Sequence, residues 1–360
     1  MRRRVEGYVE KYGPDCVIPA EQLFRLIETQ LEKHPVMAPR ERSGMPGFYR
    51  FEWLRDAGSF VPDYTATTLP PKKAFFEPDE RLFHFESDSH VGIRNAWEDF
   101  PFILAGVHPC DLAALEALDA AYLHPPAEIR WEHNRKRASI IGIDCMPDEY
   151  CFCTSVGAWD ARYPSDIFLT HIGNNYLVET FTSKGEKLLE SVSKRDATNR
   201  DREKVQRQRL RKKEAVSAGF NATVSVLADI LEKKSLTNVW KEIAGRCYSC
   251  GSCNTTCPTC FCFNMHDTFD FSLKRGIRHR TWDSCQLLEF ALIAGGENMR
   301  PERWQRVRHR WNRKFLYLYR QFGRPYCTGC GRCSRACTAD INIVDVTNRI
   351  IEASRKGDAK

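Results

Sequence analysis

The sequence predicts an α+β fold in two parts, a mixed α/β region followed by an α-helical, cysteine-rich region. Three observations predict it. Short apolar runs at 102–107 and 139–143 flank a helical stretch, the pattern of buried parallel strands and their crossover. Cysteines crowd between positions 247 and 337, and a long amphipathic pattern separates them into two groups.

Ala20 to His34 places Leu23, Leu26, Ile27 and Leu31 at helical spacing. Phe102 to Val107 and Ser139 to Ile143 read as buried strands, and Asp111 to Tyr122 between them as a helix with an acid near its start. This strand–helix–strand unit predicts a parallel sheet. Tyr176 to Thr182 alternates like a further strand, 184–214 reads as a charged surface helix or flexible insertion, and Val224 to Ser235 as a helix. Arg300 to Gln321 forms a strong amphipathic helix, with Trp304, Val307, Trp311, Phe315, Leu318 and, just beyond, Phe322 at intervals of three and four. Those aromatics are expected in the core. The expected organisation is 1–235 as an α/β docking domain with a charged insertion at 184–214, 236–345 as the cysteine-rich helical domain, and 346–360 as a tail.

A chain of 360 residues with 42% hydrophobic side chains is large enough for a packed core, and its sixteen cysteines set it apart. Cysteine accumulates in secreted disulfide scaffolds and in metal sites. The basic Met1–Arg4 precedes the polar Val5–Gly13 rather than an apolar signal core, and no stretch approaches a membrane span. The expectation is a cytoplasmic protein that keeps thiolates for metal. The net charge of +7 concentrates in 184–214, net +6, and 274–324, net +9. Such a face is usually just solvated; near an anionic cluster it would also favour the reduced form and steer an acidic partner. No nucleic-acid-binding signature stands out.

The cysteines explain the fold. Cys247, Cys250, Cys253 and Cys257 follow the spacing C-x-x-C-x-x-C-x-x-x-C with Pro258 after them, and Cys327, Cys330, Cys333 and Cys337 repeat it. This is bacterial ferredoxin spacing, in which three cysteines wrap one cubane and the fourth reaches the other. Gly251, Gly329 and Gly331 allow the backbone to approach closely. The expectation is therefore two [4Fe–4S] clusters in an α-helical ferredoxin-like domain. Cluster 1 takes Cys247, Cys250, Cys253 and Cys337; cluster 2 takes Cys327, Cys330, Cys333 and Cys257. Zinc needs only four thiolates and leaves the third and fourth cysteine of each run unexplained. Thr338 stands where proline often follows the fourth cysteine, which ligation does not require.

Of the remaining cysteines, Cys16 reads as a buried thiol. Cys110 and Cys145 end predicted strands, and Cys151 and Cys153 follow in the adjoining loop. Strand C-terminal ends in parallel sheets are where sites are built, so these four are candidates for a third [4Fe–4S] cluster. Cys260, Cys262 and Cys285 could supply ligands instead, or join Cys151 and Cys153; packed free thiols are the bland alternative. No G-x-G-x-x-G after a strand, P-loop or catalytic triad is found, and His108, His124, His133 and His266 read as scattered surface or core residues.

Cys247 to Cys262 (CYSCGSCNTTCPTCFC) resembles an iron–sulfur protein family shared by the β subunit of soluble multisubunit [NiFe] sulfhydrogenases and the corresponding iron–sulfur component of anaerobic sulfite reductase. The likeness extends to Pro70–Phe76, Gly106–Leu112, Cys151–Gly157 and Cys327–Ile343, roughly residues 14–345. His108 stands where that family is expected to carry arginine, and 184–214 is divergent. The resemblance implies a cytoplasmic relay subunit without turnover of its own. It would pass electrons between a flavin- and NAD(P)H-binding subunit and a catalytic subunit, such as a [NiFe] hydrogenase. The alternatives are a sulfite-reductase or heterodisulfide-reductase-type relay, an enzyme with a catalytic third cluster in the N-terminal domain, and an oxygen-sensing regulator, which would need a DNA-binding element that is not seen.

Overall fold

A computed structural model describes residues 11–87, 91–97, 99–233 and 236–357. The N-terminal elements run β1 (Cys16–Pro19), α1 (Ala20–Leu31), β2 (Val36–Glu41), β3 (Tyr49–Trp53), β4 (Asp79–Ser87), β5 (Val91–Asn95) and β6 (Phe102–Val107). There follow α2 (Pro109–Tyr122), α3 (Ile129–Arg137), β7 (Ala138–Ile143), β8 (Ile167–His171), β9 (Asn175–Thr180), α4 (Ser183–Leu188), β10 (Arg195–Asp196) and α5 (Asn199–Ala215). The remainder is α6 (Val224–Lys233), α7 (Thr237–Arg246), α8 (Ser252–Thr255), β11 (Phe263–Phe269), β12 (Arg275–Trp282), α9 (Arg303–Asn312), α10 (Leu318–Phe322), α11 (Arg332–Arg335) and α12 (Ile343–Lys356).

The main sheet has the order β10-β1-β9-β8-β7-β6-β2-β3. Its centre, β2, β6, β7 and β8, is parallel; the flanks are antiparallel. All six residues of β6 are buried, as covering both faces requires. Ile103 and Ala105 pack toward α1, while Leu104 and Val107 pack toward α2 and Trp131 of α3. The alternation slips at Gly106, where φ is +75° and a Cβ would stand 2.9 Å from Phe60 and Pro39. The slip turns Val107 inward and delivers His108 and Cys110 to the sheet's C-terminal end.

A second, antiparallel sheet has the order β11-β12-β4-β5. The hairpin β11–β12 comes from between the cysteine runs and pairs with the N-terminal β4. Glu80 of β4 is fully buried and receives Arg130 Nε at 3.1 Å and Arg280 Nε at 2.6 Å. The third body is helical: Leu227, Trp240, Trp311, Phe315, Ile350 and Ile351 form its core, and Trp311 Nε1 donates to Thr347 Oγ1 at 3.1 Å.

Three expectations change. The connector between the cysteine runs is not helical throughout, because residues 263–282 form the hairpin. Of the two readings of 184–214, the surface helix agrees with α5 and the flexible insertion does not: β10 extends the main sheet, and α5 turns Asp201, Val205 and Lys212 inward, at spacings of four and seven. The expected tail 346–360 is helical as far as Lys356, where α12 buries Val346, Ile350, Ile351 and Ala353; residues 358–360 lie outside the described residues. The helix expected over Val224–Ser235 is described to Lys233; Ser235 lies outside the described residues. No helix among the described residues is long and apolar enough to cross a membrane.

Candidate iron–sulfur centres

The two cysteine runs fold alike. Ser249 and Gly251 in the first, and Gly329 and Gly331 in the second, have φ of +57°, +81°, +67° and +70°. These left-handed residues curl the backbone inward ahead of the short helices α8 and α11, a turn that glycine makes without strain. The curl points amides at sulfur. The Ser249 N–H donates to Cys247 Sγ at 3.4 Å; beyond the second run, after the left-handed Asp340, the Ile341 N–H donates to Cys337 Sγ at 3.4 Å. Cys247, Cys250, Cys253, Cys333 and Cys337 line one cavity. Cys250 is exposed. Cys257 and Cys333 both lie close enough to Cys327 and to Cys330 to help raise those two thiols.

Burial pushes the Cys253 and Cys327 thiols up to about 12 and Cys330 up to about 11. Without metal these sulfurs stay protonated, so iron loading releases protons and is favoured as pH rises.

Two buried cations serve this region, both from the helix Arg303–Phe322, which contains a π turn at Arg313–Tyr317. Such turns often mark functional positions. Arg310 Nε donates to Asn254 Oδ1 at 3.1 Å, and Lys314 Nζ donates to Cys257 Sγ at 3.0 Å and to the Tyr326 carbonyl at 3.1 Å. Burial opposes the Lys314 charge, but the sulfurs of Cys257 and Cys260 outweigh it and hold the ammonium above its ordinary value.

The structure also brings Cys110, Cys145, Cys151 and Cys153 around one cavity. Cys110 lies in the first turn of α2, whose N-terminal dipole favours negative charge. Cys145 follows β7, and Cys151 and Cys153 come from the next loop. Lys212, beside Cys145 and paired with Asp144, and Arg332, beside Cys110, bracket the cavity. His108 lines it too, stacked on Tyr64 with ring centroids 3.9 Å apart. Burial, then Lys212 and Arg332, push its pKa well below the usual value. Its buried Nε2 has no hydrogen-bond partner. An orphaned imidazole nitrogen and five thiols on one cavity, Cys330 being the fifth, fit an iron–sulfur cluster. His124, His133 and His266 do not line this cavity.

This cavity is bound to the second cysteine run. The Phe152 N–H donates to the Gly329 carbonyl at 2.9 Å. A Cβ on Gly329 would stand 2.5 Å from Cys153 backbone atoms, and one on Gly331 2.5 Å from Tyr150. Gly329→Ala is therefore expected to cost at least about 1–3 kcal/mol through backbone strain, and to lower the melting midpoint of the iron-loaded chain together with its iron content. An unchanged midpoint would contradict this contact.

Cys260, Cys262 and Cys285 line a different cavity and do not join Cys151 and Cys153. Cys16 is buried. Among the described residues, no three His, Cys, Asp or Glu side chains are gathered as ligands of a single ion; the sulfurs stand around cavities rather than a point. Sequence reasoning missed Lys212, Arg310, Lys314 and Arg332. The inward face of α5 was the one available signal, for Lys212.

A family model described as a 4Fe-4S dicluster domain matches residues 246–341. The sulfhydrogenase 2 subunit beta of Pyrococcus furiosus is 37% identical over 311 residues, covering 84% of this chain and 89% of that protein. The C-terminal part is thus a [4Fe–4S] dicluster domain.

Proposed function

Because the chain belongs to the iron–sulfur subunit family of the sulfhydrogenase β subunit, we propose that it is the electron-relay subunit of a multisubunit oxidoreductase, with three [4Fe–4S] clusters. Cluster 1 is held by Cys247, Cys250, Cys253 and Cys337, cluster 2 by Cys257, Cys327, Cys330 and Cys333, and a third by Cys110, Cys145, Cys151 and Cys153. Each cluster, when bound, supplies one-electron transfer at a potential set by its surroundings.

One observation carries the reading: neighbouring sites share residues. Cys333, assigned to cluster 2, lines the cavity of cluster 1. Cys330, also assigned to cluster 2, lines the cavity of the third site. The three sites form a row. Exposed Cys250 stands at one end, and Met146, beside Cys145, is 45% exposed at the other. A row with two surface ends suits a chain between two redox partners. The polypeptide's part is to hold thiolates, to place N–H donors and cations against them, and to exclude water.

The partners follow from the family: a flavin- and NAD(P)H-binding subunit on one side and a hydrogenase catalytic subunit on the other. The cytoplasm, where thiols stay reduced, is the expected compartment. Anaerobic purification of the tagged chain from its own host should recover it in stoichiometric complex with a flavoprotein and a catalytic subunit, and the separated chain should show no hydrogen turnover. Turnover by the chain alone would contradict the relay reading. The third site has its own test. Cys145→Ser with Cys153→Ser should lower iron by about four atoms per chain, and unchanged iron would remove that cluster from the row.

A further inference from the structure

Three thiols outside these sites, Cys260, Cys262 and Cys285, share a cavity with Arg310, Arg313 and Lys314. Their sulfurs are paired. Cys260 hydrogen-bonds with Cys257, and Cys262 with Cys285. Contact of two thiols is the starting geometry for an S–S bond of about 2.0 Å.

The two segments are pinned in this register. The Asp283 N–H donates to the Cys262 carbonyl at 3.0 Å, one step beyond the β11–β12 pair Phe263–Trp282. Around Cys285, which is 5% exposed, amide donors are already placed. Asn254 Nδ2 donates to its sulfur at 3.0 Å. Gln286 Nε2, held by the Arg306 carbonyl at 2.8 Å, lies 3.9 Å from the same sulfur. Asn254 directly follows Cys253, and Cys260 touches Cys257. The pair therefore lies beside Cys253 through Asn254, and Cys262 stands two residues from Cys260, the neighbour of Cys257.

We propose that Cys262 and Cys285 are a redox-active thiol pair. Closing it breaks two S–H bonds, forms one S–S bond, and releases two electrons and two protons. Opening it reverses each change. The electrons pass singly to or from one-electron carriers of the iron–sulfur class, and the protons exchange with water. The species halfway is a disulfide radical anion, whose charge the Asn254 and Gln286 amides and the Arg310 guanidinium stabilise. The pair adds a two-electron, two-proton store to a relay of one-electron carriers. It rests on the relay reading for its electron source.

The test uses the iron-loaded full chain, poised anaerobically at a series of potentials between dithionite and ferricyanide, then acid-quenched, denatured and alkylated. Peptide mass spectrometry is expected to find Cys262 and Cys285 doubly alkylated at low potential. At high potential they should be joined, lighter by two hydrogen atoms, with the steepness of a two-electron couple. Cys285→Ser should abolish the cross-link with iron unchanged, and Cys16→Ser should keep it. Alkylation of both thiols at every potential would overturn the proposal, as would loss of about four irons from the Cys262→Ser, Cys285→Ser double variant, which would make them cluster ligands. Iron measured on the same samples reports on the relay reading separately.

Discussion

Arg332→Met is expected to destabilise the iron-loaded chain by about 3–5 kcal/mol. Arg332 is 3% exposed and its partner Asp111 fully buried. The guanidinium grips that carboxylate with both ends, Nη1 to Oδ1 at 2.6 Å and Nη2 to Oδ2 at 2.7 Å. Its Nε also donates to the Thr67 carbonyl at 2.9 Å. Asp111 belongs to α2 of the α/β body, and Arg332 stands between Cys330 and Cys333 of the second cysteine run, so this pair fastens the two halves of the molecule. Methionine fills the volume but strands a buried carboxylate, and the cost is that of the uncompensated charge. Arg332→Lys keeps the charge but loses the two-pronged grip, and should fall between the two. The measurement is the thermal midpoint followed by cluster absorbance, with iron content before and after heating. A Met variant that melts with the native protein would show that the halves are held otherwise.

Lys314→Met should lower the potential of cluster 2. The buried ammonium donates to Cys257 Sγ at 3.0 Å, and a positive charge favours the form with the extra electron. At about 5 Å and an effective dielectric constant near 20, a unit charge contributes roughly 3 kcal/mol. For a one-electron couple that corresponds to a shift on the order of 100 mV. Lys314→Arg should recover most of it. EPR-monitored redox titration of the reduced signals gives the answer. An unchanged or raised potential for every cluster would contradict the placement of Lys314 against a ligand.

The parts of this protein that are legible in its sequence are those governed by local rules. The spacing of the cysteine runs, with glycines where the chain must turn left-handed, specifies two cradles without tertiary information. The apolar runs of β6 and β7 and the alanine-rich α2 announce their own states. The third thiol group could be anticipated as well, because Cys110 and Cys145 lie just past the C-terminal ends of parallel strands.

What escapes local reading is pairing across the chain. The hairpin 263–282 is largely exposed and polar, with Phe263, Met265 and Phe269 alternating; its place depends on β4, almost two hundred residues away. Lys212, Arg310, Lys314 and Arg332 look in sequence like any solvated cations, and only their burial beside sulfur and carboxylate sets them apart. Helix α12 had a readable face, with Ile343, Val346, Ile350 and Ala353 at intervals of three and four, but its partners are α6 and α7.

The most direct test is to determine iron and acid-labile sulfide per chain on anaerobically purified protein, with EPR of the dithionite-reduced form. The proposed relay predicts about 12 iron and 12 sulfide, with interacting reduced [4Fe–4S] signals. About 8 iron would remove the third cluster and break the row at Cys330, and stoichiometric zinc without iron would contradict the relay itself.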